Sequence, residues 1–317
     1  MIDLSTTYLG LRLRTPLVPS ASPLTQEFAN VSRLEDAGAS AIVFHSVFEE
    51  TAQSRPALDH YLNLLRRAKE SCSVPVIASL GATTLAGWTE YARQIEQTGV
   101  DALELNLYQA PSQADVRGAE MEDGYIQVVR TVRSTVKIPL AAKLTPFFTS
   151  MPNMARRFEE ADAGGLVLFN RFYQPDINLE AMKIEPVVLL SSAQDLRLPL
   201  TWIGILFGRI KLSLAGTSGV HSAEDAAKLL LVGADVTMVC STLLRHGIDS
   251  LADLETGLSR WMELHQFKSV AEIKGKLSQV HCTDPGAFER AQYVNAVKGA
   301  QKIVLTGPEA WRLLSGE

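Results

Sequence analysis

Apolar residues in this chain gather in short unbroken runs, and a polar segment carrying glycine precedes four of them. Gly38 stands before Ile42-Val43-Phe44 and Gly99 before Leu103-Glu104-Leu105-Asn106. Gly164 and Gly165 stand before Leu166-Val167-Leu168-Phe169-Asn170, and Gly233 before Val236-Thr237-Met238-Val239. Glycine takes the left-handed cap of a helix end at no steric cost. A short apolar run without alternation reads as a strand buried on both faces, as in a parallel sheet. Four further runs, residues 16–19, 75–80, 139–144 and 211–215, lie between these, and three of them open on proline. Proline at the first strand position removes no ladder bond.

Eight strands follow, most of them separated by helical patterns such as residues 84–98 and 123–136. The marked glycines are about 60–70 residues apart, twice the roughly 31 residues of one βα unit in a 250-residue barrel. The pattern predicts an α/β fold, a (β/α)8 TIM barrel over about residues 15–265, in preference to a doubly wound open sheet. Residues 2–14, turning at Gly10, predict an N-terminal hairpin able to plug the barrel bottom. Residues 171–198 form a long connection after the sixth strand, of the kind that makes lids and binding loops. A helical extension occupies about residues 266–317, broken at Thr283-Asp284-Pro285-Gly286, so one domain is expected over 1–317.

Composition narrows the function. A formal charge of −5 argues against a nucleic-acid surface. Cys72, Cys240 and Cys282 form no CxxC pair, so no zinc or iron–sulfur site is read from them. The start of the chain has no signal-peptide pattern, and no run approaches the ~20 apolar residues of a membrane span. A soluble, cytoplasmic protein without membrane attachment is expected.

In a barrel of this kind, residues just past the strand C-termini line the site. Here they are Ser20-Ala21-Ser22, His45-Ser46, Ser79, Asn106-Leu107-Tyr108, Lys143, Asn170-Arg171, Gly216-Thr217-Ser218-Gly219 and Cys240-Ser241-Thr242. No carboxylate pair and no histidine cluster appears, which leaves glycosidase and metal chemistry without support. Small residues after the last two strands let backbone N–H groups approach a phosphate, and Ser222 to Asp225 reads as a capped helix start that adds favourable partial charge. Lys143 interrupts an apolar strand. It reads either as a partner of Glu104 on the adjacent strand or as a cation held against an anionic ligand; a Schiff-base lysine is a third reading. Asn106 and Asn170 end strands two units apart, as loop caps or as ligand-binding amides.

Taken in order, Leu103-Glu104-Leu105-Asn106-Leu107, Ala142-Lys143-Leu144, Gly216-Thr217-Ser218-Gly219-Val220 and Val239-Cys240-Ser241-Thr242 resemble the class 1 dihydroorotate dehydrogenases. Thr15-Pro16-Leu17-Val18-Pro19-Ser20-Ala21-Ser22 and the segment from Ser269 to Leu277 fit as well, so the resemblance spans about residues 2–280. It implies a flavin mononucleotide (FMN) oxidoreductase acting in pyrimidine biosynthesis. It places Ser20, Ala21 and Ser22 beside the flavin ring and Asn106 and Lys143 at the ring and ribityl chain. Gly216, Thr217, Ser218, Gly219, Cys240 and Ser241 then form the phosphate end. Lys143 would favour the anionic reduced ring.

The pyrimidine half departs from the family. Gln109 falls at the position of the catalytic Cys or Ser base, and Pro111 replaces a substrate-binding Asn. Phe44 and His45 stand where Lys and Ser are expected. The stretch from Glu50 to Tyr61 is short for the family's Asn loop, and Arg171 replaces a small polar residue. These changes leave dihydroorotate or, in preference, another small anionic substrate, held by Asn106, Asn170 and Arg171 with Tyr108, His45 and Tyr173 nearby. Tyr108 or His45 would be the base, His having the better pKa near neutrality. The alternative is a flavoprotein that serves as an electron-transfer or regulatory subunit. A soluble acceptor protein and a homo-oligomer are the expected partners.

Overall fold

Side chains along a strand alternate between its two faces, and in this chain that period separates a dry interior from a helix-covered exterior. The computed structural model describes residues 2–52, 55–110, 112–171 and 174–306. An antiparallel hairpin, β1 (Thr6–Tyr8) and β2 (Leu11–Leu13), comes first. Eight parallel strands follow: β3 (Leu17–Pro19), β4 (Ile42–Phe48), β5 (Val76–Gly81), β6 (Ala102–Asn106), β7 (Leu140–Leu144), β8 (Gly165–Leu168), β11 (Ser213–Thr217) and β12 (Val236–Val239). A second hairpin, β9 (Asp176–Asn178) with β10 (Lys183–Glu185), interrupts the order after β8. The large sheet runs β3-β12-β11-β8-β7-β6-β5-β4. Its ends meet where the Ser40 N–H donates to the Leu17 carbonyl at 3.2 Å. The fold is the (β/α)8 barrel that the apolar runs predict.

Helices α1 (Phe28–Asp36), α2 (Glu49–Ala52), α3 (Arg55–Ser71), α4 (Leu85–Glu96), α5 (Gly118–Arg133) and α6 (Met151–Glu160) alternate with the first strands. Helices α7 (Arg197–Leu206), α8 (Ala223–Val232), α9 (Ser241–His246) and α10 (Ser250–Leu264) accompany the last two, and α11 (Val270–Ile273) and α12 (Arg290–Thr306) make the C-terminal extension. Gly38, Gly99 and Gly233 take the left-handed conformation at helix ends. At the third such site Asp162 does so instead, with φ 62°. Gly165 there has another purpose: a Cβ would lie 2.8 Å from Leu9 and 2.9 Å from the Ser213 carbonyl.

Leu9 belongs to the plug. Tyr8, Leu9 and Leu13 pack against Val18, Val43, Ile77, Ala102, Ala141, Val167, Ala215, Val236 and Met238, the inward residues of the eight strands. The hairpin is tied down by Leu9 N–H to Ser213 Oγ at 3.0 Å and Thr6 Oγ1 to the Asp235 carbonyl at 2.9 Å. The opposite strand faces pack against the helices in a larger layer that includes Phe44, Leu80, Leu103, Leu105 and Phe158.

Leu13 is 1 % exposed at the barrel bottom. Leu13→Ala removes its transfer energy and leaves a cavity in a layer closed on all sides, so a loss of about 2–5 kcal/mol is expected. Urea denaturation checks this; a loss below about 1 kcal/mol would show that the hairpin is not a structural plug.

Candidate active site at the barrel mouth

Two residues beyond five of the inward apolar side chains, the same period delivers a polar one. Ile77 is followed by Ser79, Ala102 by Glu104 and Asn106, Ala141 by Lys143, Val18 by Ser20 and Ala215 by Thr217. These groups join into one chain of hydrogen bonds. Asn170 Nδ2 donates to Asn106 Oδ1 at 2.7 Å, and Asn106 Nδ2 to Ser46 Oγ at 3.2 Å. Ser46 Oγ lies 2.8 Å from Ser79 Oγ, which donates to Glu104 Oε1 at 3.2 Å. Lys143 Nζ donates to that same carboxylate oxygen at 3.3 Å and to Ser20 Oγ at 3.3 Å.

Lys143 and Glu104 therefore form a buried ion pair, the pairing that the adjacent strands allow. The Tyr8 hydroxyl of the plug and Glu104 Oε2 are buried without a hydrogen-bond partner among the described residues. Burial, and then the carboxylates of Glu104 and Asp235, push the Tyr8 phenol well above its ordinary value, so it stays protonated.

A cavity of about 260 Å³ opens above Lys143. Ser20, Ala21, Ser22, Lys143, Asn170, Arg171, Thr217, Ser218, Gly219, Cys240 and Ser241 line it, with an apolar wall from Val188, Leu189 and Leu190. The structure thus brings together most of the residues singled out in the sequence. Asn106 stands one hydrogen bond away through Asn170. Gly216 does not face the cavity: its missing Cβ would meet Leu229 and Ile203 of the helix layer. Burial raises the Cys240 thiol, while the Lys143 and Arg171 cations pull it down, which places both cations within electrostatic reach of Cys240.

At one end of the cavity the backbone is shaped for an acceptor. Ser218 and Gly219 both have positive φ, 76° and 81°. A Cβ on Gly219 would lie 2.2 Å from the Leu196 backbone nitrogen, so no side chain fits. The Gly219 N–H points to Ser191 Oγ at 3.3 Å, and Ser241 Oγ accepts from Ser191 N–H and Oγ, each at 2.9 Å. The start of α8 contributes less than its sequence suggests. Asp225 accepts from the His221 and Ser222 N–H groups at 3.1 Å each, and those donors are already satisfied. Ser191 was not singled out from the sequence, although the Ser192 and Asp195 capping box beside it marks an ordered turn.

The residues read as bases lie elsewhere. A register shift between Val43 and Ser46 in β4 breaks the period of two. Ser46 therefore turns into the barrel, and His45 turns to the helix layer. His45 Nδ1 is 3.1 Å from Thr25 Oγ1, and its ring meets Tyr61 edge-on at 5.0 Å. Burial, then the neighbouring His60, lowers its pKa from 6.5 to about 4. Tyr108 and Gln109 line a separate cavity between α4 and α5. The stretch from Glu50 to Tyr61 is largely taken up by α2 and the first turns of α3. Pro111 and Tyr173 lie outside the described residues. Among those residues no group of three or more His, Cys, Asp or Glu gathers for a metal, and no helix is long and apolar enough to cross a membrane.

The barrel mouth thus gathers a buried lysine, paired amides and small residues of the last two strands around one cavity. The dihydroorotate dehydrogenase family model matches residues 51–262, two thirds of the chain, and the chain belongs to that family. It is 25 % identical over 305 residues to the catalytic subunit of dihydroorotate dehydrogenase B (NAD(+)) of Thermoplasma volcanium, covering 87 % of this chain and 98 % of that one. It is 27 % identical over 303 residues to a putative dihydroorotate dehydrogenase A (fumarate) of Aeropyrum pernix, covering 86 % and 97 %. Over 313 residues it is 25 % identical to the NAD-dependent dihydropyrimidine dehydrogenase subunit PreA of Escherichia coli, covering 86 % and 76 %.

The His45 position gives a pH test. An unfolded chain protonates this imidazole near 6.5, the native one near 4. The unfolded state therefore binds more protons between these values, and stability present above pH 6.5 is lost as pH falls towards 4. In His45→Gln that part of the loss should vanish. Melting temperatures of the two proteins at pH 7, 5.5 and 4.5 should converge on acidification; parallel curves would show that His45 titrates normally.

Proposed function

We propose that this chain is an FMN-dependent oxidoreductase of the dihydroorotate dehydrogenase type, acting on a small anionic molecule other than dihydroorotate. The observation that carries the reading is the gathering of Lys143, Arg171, Ser218, Gly219 and Ser241 around one cavity. The donor set fits the cofactor. The Gly219 N–H and the Ser191 and Ser241 hydroxyls suit a phosphate, and the spot taken by Ser191 Oγ marks where an acceptor oxygen sits. Ser20, Ala21, Ser22 and Asn106 suit the ring and its side chain. When bound, FMN supplies a two-electron acceptor.

The chain's own residues would do the rest. Lys143 holds positive charge at Nζ, fixed by Glu104 and Ser20, where negative charge builds up. Arg171 provides a forked donor for a carboxylate. Asn170 and Asn106 orient polar edges of the substrate through a shared amide contact. Val188, Leu189 and Leu190 give the cavity an apolar edge. A soluble electron-acceptor protein, a homo-oligomeric assembly and a cytoplasmic setting complete the reading.

A second reading has its own support. No carboxylate or imidazole lines the cavity among the described residues, because His45 and the Tyr108–Gln109 turn face away. A flavoprotein subunit that passes electrons to a partner needs no such base.

Purified protein is expected to be yellow and to release FMN, not FAD, on denaturation. Lys143→Ala should weaken FMN binding at least tenfold by flavin fluorescence titration. A colourless protein that takes up no added FMN would remove the proposal.

With dihydroorotate, anaerobic flavin reduction should be slower by about 10²–10⁴ than a base-assisted reaction, the usual worth of general-base catalysis, while dithionite reduces the flavin normally. Stopped-flow absorbance decides. Full reduction within seconds, abolished by Tyr108→Phe, would instead identify Tyr108 as the base.

A further inference from the structure

Helix α5 carries a glycine at its middle, Gly124. Glycine is the least favourable helix-interior residue after proline, so a mid-helix glycine calls for a steric reason. Helices α4, α7 and α10 supply one, while Gly299 of α12 is open to solvent. A Cβ on Gly87 would strike the Glu49 carboxylate at 2.4 Å, on Gly204 the Phe288 ring at 2.4 Å, and on Gly257 the Ala223 methyl at 2.7 Å. At Gly124 nothing lies within 4 Å. No neighbour in the chain demands the missing side chain.

What faces Gly124 is a cavity of about 260 Å³ between α4 and α5, on the outer side of the turn that follows β6. Trp88, 4 % exposed, and Tyr125 supply aromatic walls. The carboxamides of Gln109 and Gln127 supply polarity, and no charged side chain lines the space. Aromatic walls with a few convergent polar groups are the usual anatomy of a small-molecule site. Each carboxamide offers one acceptor and an NH₂ donor, the complement of a lactam or amide edge. An ionic ligand would find no counter-charge.

We propose that this cleft binds a planar, uncharged cyclic amide, and that Gly124 is glycine to leave room for it. The site is distinct from the cradle at the barrel mouth and does not depend on the flavin reading. It is nonetheless linked to that mouth. Leu107 and Gln109 of its wall follow directly on Asn106, and the Leu107 N–H is bound to the Lys143 carbonyl at 3.1 Å. An occupant of the cleft therefore bears on the strand end that carries the mouth's amide chain.

Isothermal titration of the full-length protein with uracil and with nicotinamide, as neutral probes, and with orotate, as an anionic one, tests this. At least one neutral probe should bind saturably. Its affinity should fall at least tenfold in Gly124→Met and several-fold in Gly124→Ala, and stay unchanged in Arg171→Ala. Gly124→Ala should also raise Tm, because alanine is the better helix former. The opposite movement of stability and affinity separates a ligand role from a packing role, and Gly124→Ala decides the matter if the methionine variant does not fold. A raised Tm with unchanged affinity overturns the proposal. So does absence of binding by both neutral probes, binding that responds to Arg171 instead of Gly124, or orotate binding that is equally sensitive to Gly124.

Discussion

Taking an ammonium and a carboxylate out of water costs several kcal/mol per ion even after relaxation, and close contact between them offsets that only when further hydrogen bonds are made. Lys143 and Glu104 meet at 3.3 Å with side chains 8 % and 1 % exposed. Ser20 and Ser79 supply the further bonds. Because Glu104 Oε1 receives both Lys143 and Ser79, the pair fixes the start of a polar chain that runs through Ser46 and Asn106 to Asn170. Six strands contribute to it or end beside it. The mouth of the barrel is held in shape from its floor, not from its loops.

That floor also sets the electrostatics above it. Glu104 balances much of the Lys143 charge, while Arg171 adds a second cation to the cavity lining. The cradle next to them relies on backbone and hydroxyl donors, since Asp225 already occupies the start of α8. The cavity lining therefore combines backbone and hydroxyl donors with two cationic side chains.

The barrel was legible because its evidence is periodic and repeated. Apolar runs, glycine caps and the hairpin at residues 2–14 each follow from local rules that tertiary context did not overturn. Most of the cavity lining was legible for the same reason, since strand-end residues such as Ser20, Lys143 and Ser218 face one mouth once the barrel closes. The exceptions have specific causes. His45 and Ser46 were placed at the mouth together because both follow the apolar run of β4, but the bulge in β4 turns only Ser46 inward. Gly216 was read as part of the cradle, yet close packing with α7 and α8 requires it. Ser191 comes from an irregular connection, where no periodicity says which residue returns to the barrel. The outward turn of Tyr108 and Gln109 likewise depends on loop path, which the pattern of residues 107–117 does not encode.

The plug has a consequence for the order in which this molecule is made. Its hairpin is bound to Ser213, Asp235 and, through Asp3, to Lys268 and Val270. The hairpin residues thus leave the ribosome more than two hundred positions before their partners. Contacts of such separation carry a large loop-closure entropy before they bring any return, and they slow folding. Until β12 and α11 have emerged, Tyr8, Leu9 and Leu13 have no complete layer to enter. Synthesis therefore passes through a long interval with an open barrel and an apolar hairpin exposed, the stage at which a nascent chain most needs a chaperone.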